Sequence, residues 1–132
     1  MNFDLDDLPP DLLAFLDERH LATLTTVGAD GGPHVTPVGV TYESDRRLAR
    51  VITWSASVKA RNVARRPDQR AAVCQVDGGR WLTFYGTATV TDDPSAIAEG
   101  VRRYAARYRQ PKERPDRVVI EIEVDRIVGS RW

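Results

Sequence analysis

Ala71-Ala72-Val73-Cys74-Gln75-Val76-Asp77-Gly78-Gly79-Arg80-Trp81-Leu82-Thr83-Phe84-Tyr85-Gly86-Thr87-Ala88-Thr89-Val90-Thr91 is the stretch on which the fold turns. Ala71 to Val76 is an apolar run, and Asp77-Gly78-Gly79 is a strong tight-turn signal. From Arg80 to Thr91, Leu82, Phe84, Gly86, Ala88 and Val90 alternate with Trp81, Thr83, Tyr85, Thr87 and Thr89. A period of two with different characters on its two sides predicts a long strand buried on one face, paired back onto the run before it.

The same texture extends in both directions. Upstream, Leu21 to Val27, a turn at Gly28-Ala29-Asp30-Gly31-Gly32, and Val35 to Tyr42 read as a hairpin. A turn from Glu43 to Arg47 then leads into Leu48 to Trp54. Downstream, Val118 to Val128 places Ile120, Ile122 and Val124 on one side and Glu121 and Glu123 on the other. Three helices are predicted around these strands. Residues 9 to 18 begin with Pro9-Pro10 and repeat leucine at helical spacing; Val58 to Arg66 stops at Pro67; a third runs from Pro94-Ser95 to about Tyr108. Six strands joined mostly by tight turns predict a mainly β fold, a closed six-stranded antiparallel barrel with peripheral helices and no exposed edge. At 132 residues and 42% hydrophobic content, residues 1–132 are expected to form one domain.

Thr53-Trp54-Ser55-Ala56-Ser57-Val58-Lys59-Ala60-Arg61-Asn62 carries the chemical signal. Ser57 is a natural N-cap, so Lys59 and Arg61 fall in the first helical turn, where free N–H groups and the dipole favour an anion. Cations there predict either a bound phosphate or two side chains that simply extend into water. Lysine is also rare here. The chain has nineteen Lys and Arg together, and only Lys59 and Lys112 are lysines.

Other features exclude function classes. Net charge is zero and the pI is near 6.7, which argues against nucleic acid or an anionic membrane as a partner. An acidic N-terminus, Met1 to Asp7, and the lack of a long apolar run predict a cytoplasmic protein. Cys74 has no partner for a disulfide and reads as a small core residue rather than a nucleophile. His20 and His34 stand far apart without further ligand types at metal spacing, so no metal is assigned and structural or surface roles are expected. Trp54 and Trp81 could stack on a ligand, with packing the expected role of Trp54. Trp132 either folds over a partner's groove or frays.

Taken in order, Glu18 to Thr26, Pro33-His34-Val35, Val38-Gly39, Ser57-x-Lys59-x-x-Asn62, Cys74 to Trp81 and Arg117 to Glu121 resemble one family. It is the flavin/deazaflavin oxidoreductases related to pyridoxamine 5′-phosphate oxidase, and the resemblance is greatest to its members that use coenzyme F420. The resemblance implies a split barrel assembled as a homodimer, with a coenzyme in each of two grooves at the subunit interface. It implies that Ser57, Lys59 and Asn62 hold the phosphate-bearing tail, with Arg61 a departure that could add to them. Pro37, Val38, Gly39 and Thr53 would line the ring and ribityl chain, and Gln75, Arg80 and Trp81 would complete the pocket from the other subunit. The implied reaction is hydride transfer from reduced F420 to a conjugated acceptor, a tetrapyrrole such as biliverdin foremost, with arginines such as Arg80 for its propionates. FMN in place of F420, a non-catalytic F420 or tetrapyrrole carrier, and a barrel for single-stranded nucleic acid are the alternatives, the last disfavoured by zero net charge.

Overall fold

The computed structural model describes residues 1–132 as α1 (Pro10–Asp17), β1 (Ala22–Val27), β2 (Pro33–Val38), β3 (Thr41–Glu43), β4 (Leu48–Trp54), α2 (Val58–Arg65), β5 (Gln69–Asp77), β6 (Arg80–Thr91), α3 (Pro94–Arg107) and β7 (Arg117–Gly129). All strand pairs are antiparallel, in the order β2-β1-β5-β6-β7-β4-β3. The β5–β6 hairpin forms as the alternation predicts, with Val76 opposite Trp81 and Asp77 opposite Arg80. Leu24, Val73, Leu82, Phe84, Ile120 and Ile122 point inward and are fully buried. Leu12 and Phe15 of α1 close one end of this core with no exposed surface. Each such side chain contributes ~1.5–3 kcal/mol by leaving water.

Two expectations are corrected. The run Val35 to Tyr42 is two strands rather than one, so the sheet has seven strands, and its outer members β2 and β3 do not pair with each other. The barrel is therefore open between them. The cause lies at Gly39-Val40, where the backbone leaves the ladder. Val40 N–H donates to Tyr108 Oη (3.1 Å), and Val40 carbonyl accepts from Arg107 Nη1 (2.6 Å). Two side chains at the end of α3 thus take the bonds that a neighbouring strand would have taken. A Cβ on Gly39 would stand 2.7 Å from Tyr104 Cε2 and 3.1 Å from Tyr108 Cε2, so only glycine lets α3 approach this closely.

Arg107 reaches further. Its Nε donates to the carbonyl of Glu18 (2.8 Å), the residue that ends α1, and Nη2 donates to Gln75 Oε1 (2.6 Å). Gln75 in turn donates to the Phe15 carbonyl (3.1 Å). One guanidinium therefore joins α1, β5, α3 and the seam, and a cation at the end of α1 suits the helix dipole. Burial pushes the pKa of Arg107 down and that of Tyr108 up, so the Tyr108 phenol stays protonated and donates to the His20 carbonyl (2.7 Å).

The remainder of α3 lies on the outside of β4, β7 and β3. Gly100 permits this, since a Cβ there would stand 3.0 Å from both Ile52 Cγ2 and Val119 Cγ2. Beneath it, buried Arg50 sits 2.9 Å from Glu43, and Arg103 of α3 reaches the same carboxylate at 3.4 Å. The plain alternation expected along β7 is broken by a register shift opposite Tyr85/Gly86 that leaves Asp125 unpaired, so that Ile127 rather than Arg126 points inward. Gly86 is needed there, because a Cβ would meet the Glu123 carbonyl at 2.2 Å.

Tyr108→Phe keeps the ring and removes the acceptor for Val40 N–H and the donor for the His20 carbonyl. The expected loss is ~1–3 kcal/mol of unfolding free energy, read from urea denaturation against the parent protein.

Candidate functional site

Trp54, the last residue of β4, starts the turn into α2. Ser57 caps the helix as the sequence predicts: its Oγ accepts from Ala60 N–H (3.2 Å) and from Thr53 Oγ1 (2.9 Å). Its own hydroxyl hydrogen has no protein acceptor in that arrangement. The N–H groups of Val58 and Lys59 also lack protein partners, and the first turn holds no acidic residue. Lys59 adds a full positive charge to these donors. Its ammonium makes no ion pair, and burial pushes its pKa down. A half-buried cation beside unpaired helix donors is an arrangement that favours an anion.

The surroundings are shaped for a ligand. A cleft of about 190 Å³ is lined by Pro37, Val38, Gly39, Ile52, Lys59, Tyr104, Pro111 and Arg117. Four residues chosen from sequence thus share one cleft, with Thr53 and Ser57 bonded to each other at its helical end. Trp54 belongs to the same region. Lys59 Nζ lies 5.0 Å from the centre of its ring and Arg114 Cζ lies 4.7 Å from it, so Trp54 carries two cations instead of serving only as packing. Arg117, opposite Trp54 in the β4–β7 register, donates to the Lys112 carbonyl (2.6 Å) and to no acid. Burial, and then the nearby Arg114, push its pKa down.

Other sequence choices fall elsewhere. Asn62 is buried, donates to Thr26 Oγ1 (3.1 Å) and accepts from Arg65 (3.2 Å), which ties α2 to β1. Arg61 is exposed and unpaired in the same helix. Gln75 is fully buried between Phe15 and Arg107. Arg80 lies over the Phe15 ring at 4.7 Å and bonds Glu18 at 3.1 Å and Asp77 at 2.5 Å. Trp81, beside it, is 37% exposed. Gln75, Arg80 and Trp81 therefore form a second group, and none of them lines the Lys59 cleft of their own chain.

Two minor readings also change, those of Cys74 and Trp132, and His20 gains partners that the spacing did not show. Cys74 lies on the outward face of β5, half-buried, because Val73 and Gln75 are the residues that point inward. Trp132 neither frays nor stands free, since its ring packs 4.9 Å from that of Phe15. His20 is brought against Glu18 (2.9 Å) and Asp77 (4.0 Å), ligand types that the spacing did not reveal. Arg80 supplies the compensating charge there, which makes the group an ion-pair cluster. Tyr104, Pro111 and Arg117 were missed. Only the basic character of Arg117 at the start of a strand could have signalled it.

A barrel opened at one seam, with helices around it, is a split barrel, the fold that the sequence resemblance implied. The chain belongs to the pyridoxamine 5′-phosphate oxidase family, whose model matches residues 8–130. It is 50% identical over 123 residues to the F420H(2)-dependent biliverdin reductase of Mycobacterium tuberculosis, covering 93% of this chain and 88% of that one. Among solved structures, a conserved hypothetical protein of Mycobacterium tuberculosis matches with a TM-score of 0.76 at 24% identity, over 94% of this chain and 85% of that chain. A protein described as an F420 reductase matches with a TM-score of 0.72 at 23% identity, over 92% and 98%. At these identities the two structures establish the fold. No helix is long and apolar enough to cross a membrane.

The Arg80 cluster has a pH signature. Bonds from Arg80 and then His20 hold the Glu18 carboxyl at about 2, below its ordinary 4.5. A lowered carboxyl pKa stabilises the fold fully above 4.5 and loses that effect as pH falls toward about 2. Arg80→Met should therefore unfold more easily than the parent at pH 7, and the two thermal midpoints should converge across that acid window.

Proposed function

We propose that the protein binds coenzyme F420 with its phosphate at the start of α2 and acts as an oxidoreductase on a conjugated acceptor, biliverdin being the acceptor best supported. The observation that carries the coenzyme assignment is Lys59, a half-buried ammonium without an acid, next to the unpaired N–H groups of Val58 and Lys59. A phosphate would remove the conflict by satisfying these donors together, in charge-assisted bonds. Support for F420 over FMN, and for biliverdin, comes from the 50% identity to a relative named for both.

When bound, reduced F420 supplies the hydride. The protein's residues position and neutralise. Pro37, Val38 and Gly39 present a rigid wall with little side-chain bulk, Ser57 and Lys59 fix the anionic end, and Tyr104 and Arg117 bring hydrogen-bond donors to the opposite wall. Holding two reactants in register is the larger part of what such a site has to do, since the reactive group belongs to the coenzyme.

A homodimer forms part of this reading. The outer face of β1, β2, β5 and β6 exposes Leu21, Val35, Val76 and Trp81, with Thr23 opposite Cys74 and Cys74 opposite Thr83 between them. This patch is uncharged, the charged residue of the face being Arg70 toward the other end of β5, paired with Asp125, and such a patch suits a second copy of itself. Pairing would also let Trp81 of one chain approach the Lys59 cleft of the other, while Gln75 stays in the core of its own chain.

Fluorescence titration with F420 and FMN, followed by mixing reduced F420 with biliverdin, tests the proposal. F420 should bind more tightly than FMN, and biliverdin should be consumed in step with F420 oxidation. Tight FMN binding with no response to F420 would overturn the coenzyme; binding without turnover would make the protein a carrier. Lys59→Met removes a charge-assisted contact worth ~1.5–3 kcal/mol, a loss of about 10- to 100-fold in F420 affinity. The same change should raise the thermal midpoint of the ligand-free protein, since it relieves a buried, unpaired charge.

A further inference from the structure

We propose that the cleft between α3 and the segment 109–116 docks the electron acceptor, and that this cleft selects flat, apolar molecules that carry carboxylates. The inference rests on the oxidoreductase reading above and adds to it where the acceptor lies and what feature of it is recognised. This cleft has a volume of about 630 Å³, and Pro111 and Arg117 line both it and the Lys59 cleft, so the two are contiguous. A molecule seated in the larger one has an open route to a ring lying against Pro37, Val38 and Gly39.

The walls divide by character. Ile97 and Val101, one turn apart on α3, face Pro111 and Pro115 across the cleft and form an apolar slot. At its rim stand Lys112, Arg114 and Arg117, against a single lining acid, Glu113. Arg114 is engaged by Asp116, through Nε to Oδ1 at 3.0 Å and Nη2 to Oδ2 at 3.2 Å. Lys112 and Arg117 have no acid partner, and the Arg117 guanidinium donates instead to the Lys112 carbonyl. Two uncompensated cations at the mouth of an apolar slot fit a hydrophobic body with anionic substituents. Arg80, the arginine first considered for this role, is already saturated by Glu18 and Asp77. The only two lysines of the chain thus mark adjacent clefts, Lys59 the coenzyme's and Lys112 the acceptor's.

An anionic coenzyme tail would also be drawn to Lys112 and Arg117. It has no use for the Ile97–Val101–Pro111–Pro115 slot, which is why the acceptor is favoured.

The test compares biliverdin with biliverdin dimethyl ester, whose carboxylates are masked, in the parent enzyme and in Lys112→Glu. With reduced F420, Lys112→Glu should raise KM for biliverdin about tenfold or more, while kcat, KM for the ester and the F420 dissociation constant stay within about twofold. Val101→Asp should raise KM for both acceptors. Direct absorbance titration of each acceptor into coenzyme-free protein should show the same order of affinities. An unchanged KM and unchanged acceptor binding in Lys112→Glu would overturn the proposal. So would a weakened F420 affinity with acceptor binding intact, which would assign the cleft to the coenzyme tail. Absence of turnover by the parent with every acceptor, alongside charge-dependent acceptor binding, would count against the oxidoreductase reading and leave the cleft standing.

Discussion

The hydrogen bonds that Arg107 and Tyr108 make to Val40 are the constraint from which the rest of the structure follows. Without them the backbone at Gly39-Val40 would have a buried donor and acceptor and no strand beside it, a cost of several kcal/mol in a protein of ordinary stability. With them the barrel can stay open along one line. The opening is useful because β2 ends there, which leaves Pro37, Val38 and Gly39 facing a cleft instead of a neighbouring strand. Fold and site therefore share one element, α3, whose last turn holds the seam and whose Tyr104 lines the cleft.

The second determinant is electrostatic. Helix starts ordinarily carry acids or neutral caps, and α3 follows that rule with Asp93, whose side chain accepts from Ala96 N–H (3.0 Å). α2 keeps a neutral cap in Ser57 but adds the cation Lys59 in its first turn. The contrast within one chain supports the phosphate site proposed at α2, since a helix start without a cation, as in α3, was available to the same sequence. Local disagreement of this sort is expected where function opposes folding.

Much of this was legible in advance, for physical reasons that can be named. The β5–β6 hairpin was readable because alternation and Asp77-Gly78-Gly79 are local signals, and Ser57 because capping acts over three residues. The seam was not, because Val35 to Tyr42 has uniform strand character and its break is imposed by side chains about seventy positions later. Asn62 and Gln75 show the same limit from the other side. Their polar groups looked available for a ligand, yet Thr26 and Arg107, distant in sequence, had already claimed them. The bulge at Asp125 has no local signature, because the residue that accommodates it, Gly86, lies in the opposing strand. Of the candidate site itself, the cationic end was visible as a conflict within one helix turn, whereas the opposite wall comes from Tyr104, Pro111 and Arg117, which no local pattern connects.

An open barrel has two free margins, and free margins invite other chains to add on as further strands. β2 carries prolines at positions 33 and 37, two residues of matching parity. Neither has an amide hydrogen, and because β2 keeps its ladder with β1, the missing donors fall on the outer side. β3 is only three residues long, too short to template a stranger. The cleft is thus kept accessible to small molecules while the exposed backbone beside it is made unattractive to fibril growth, and Pro37 takes part in both.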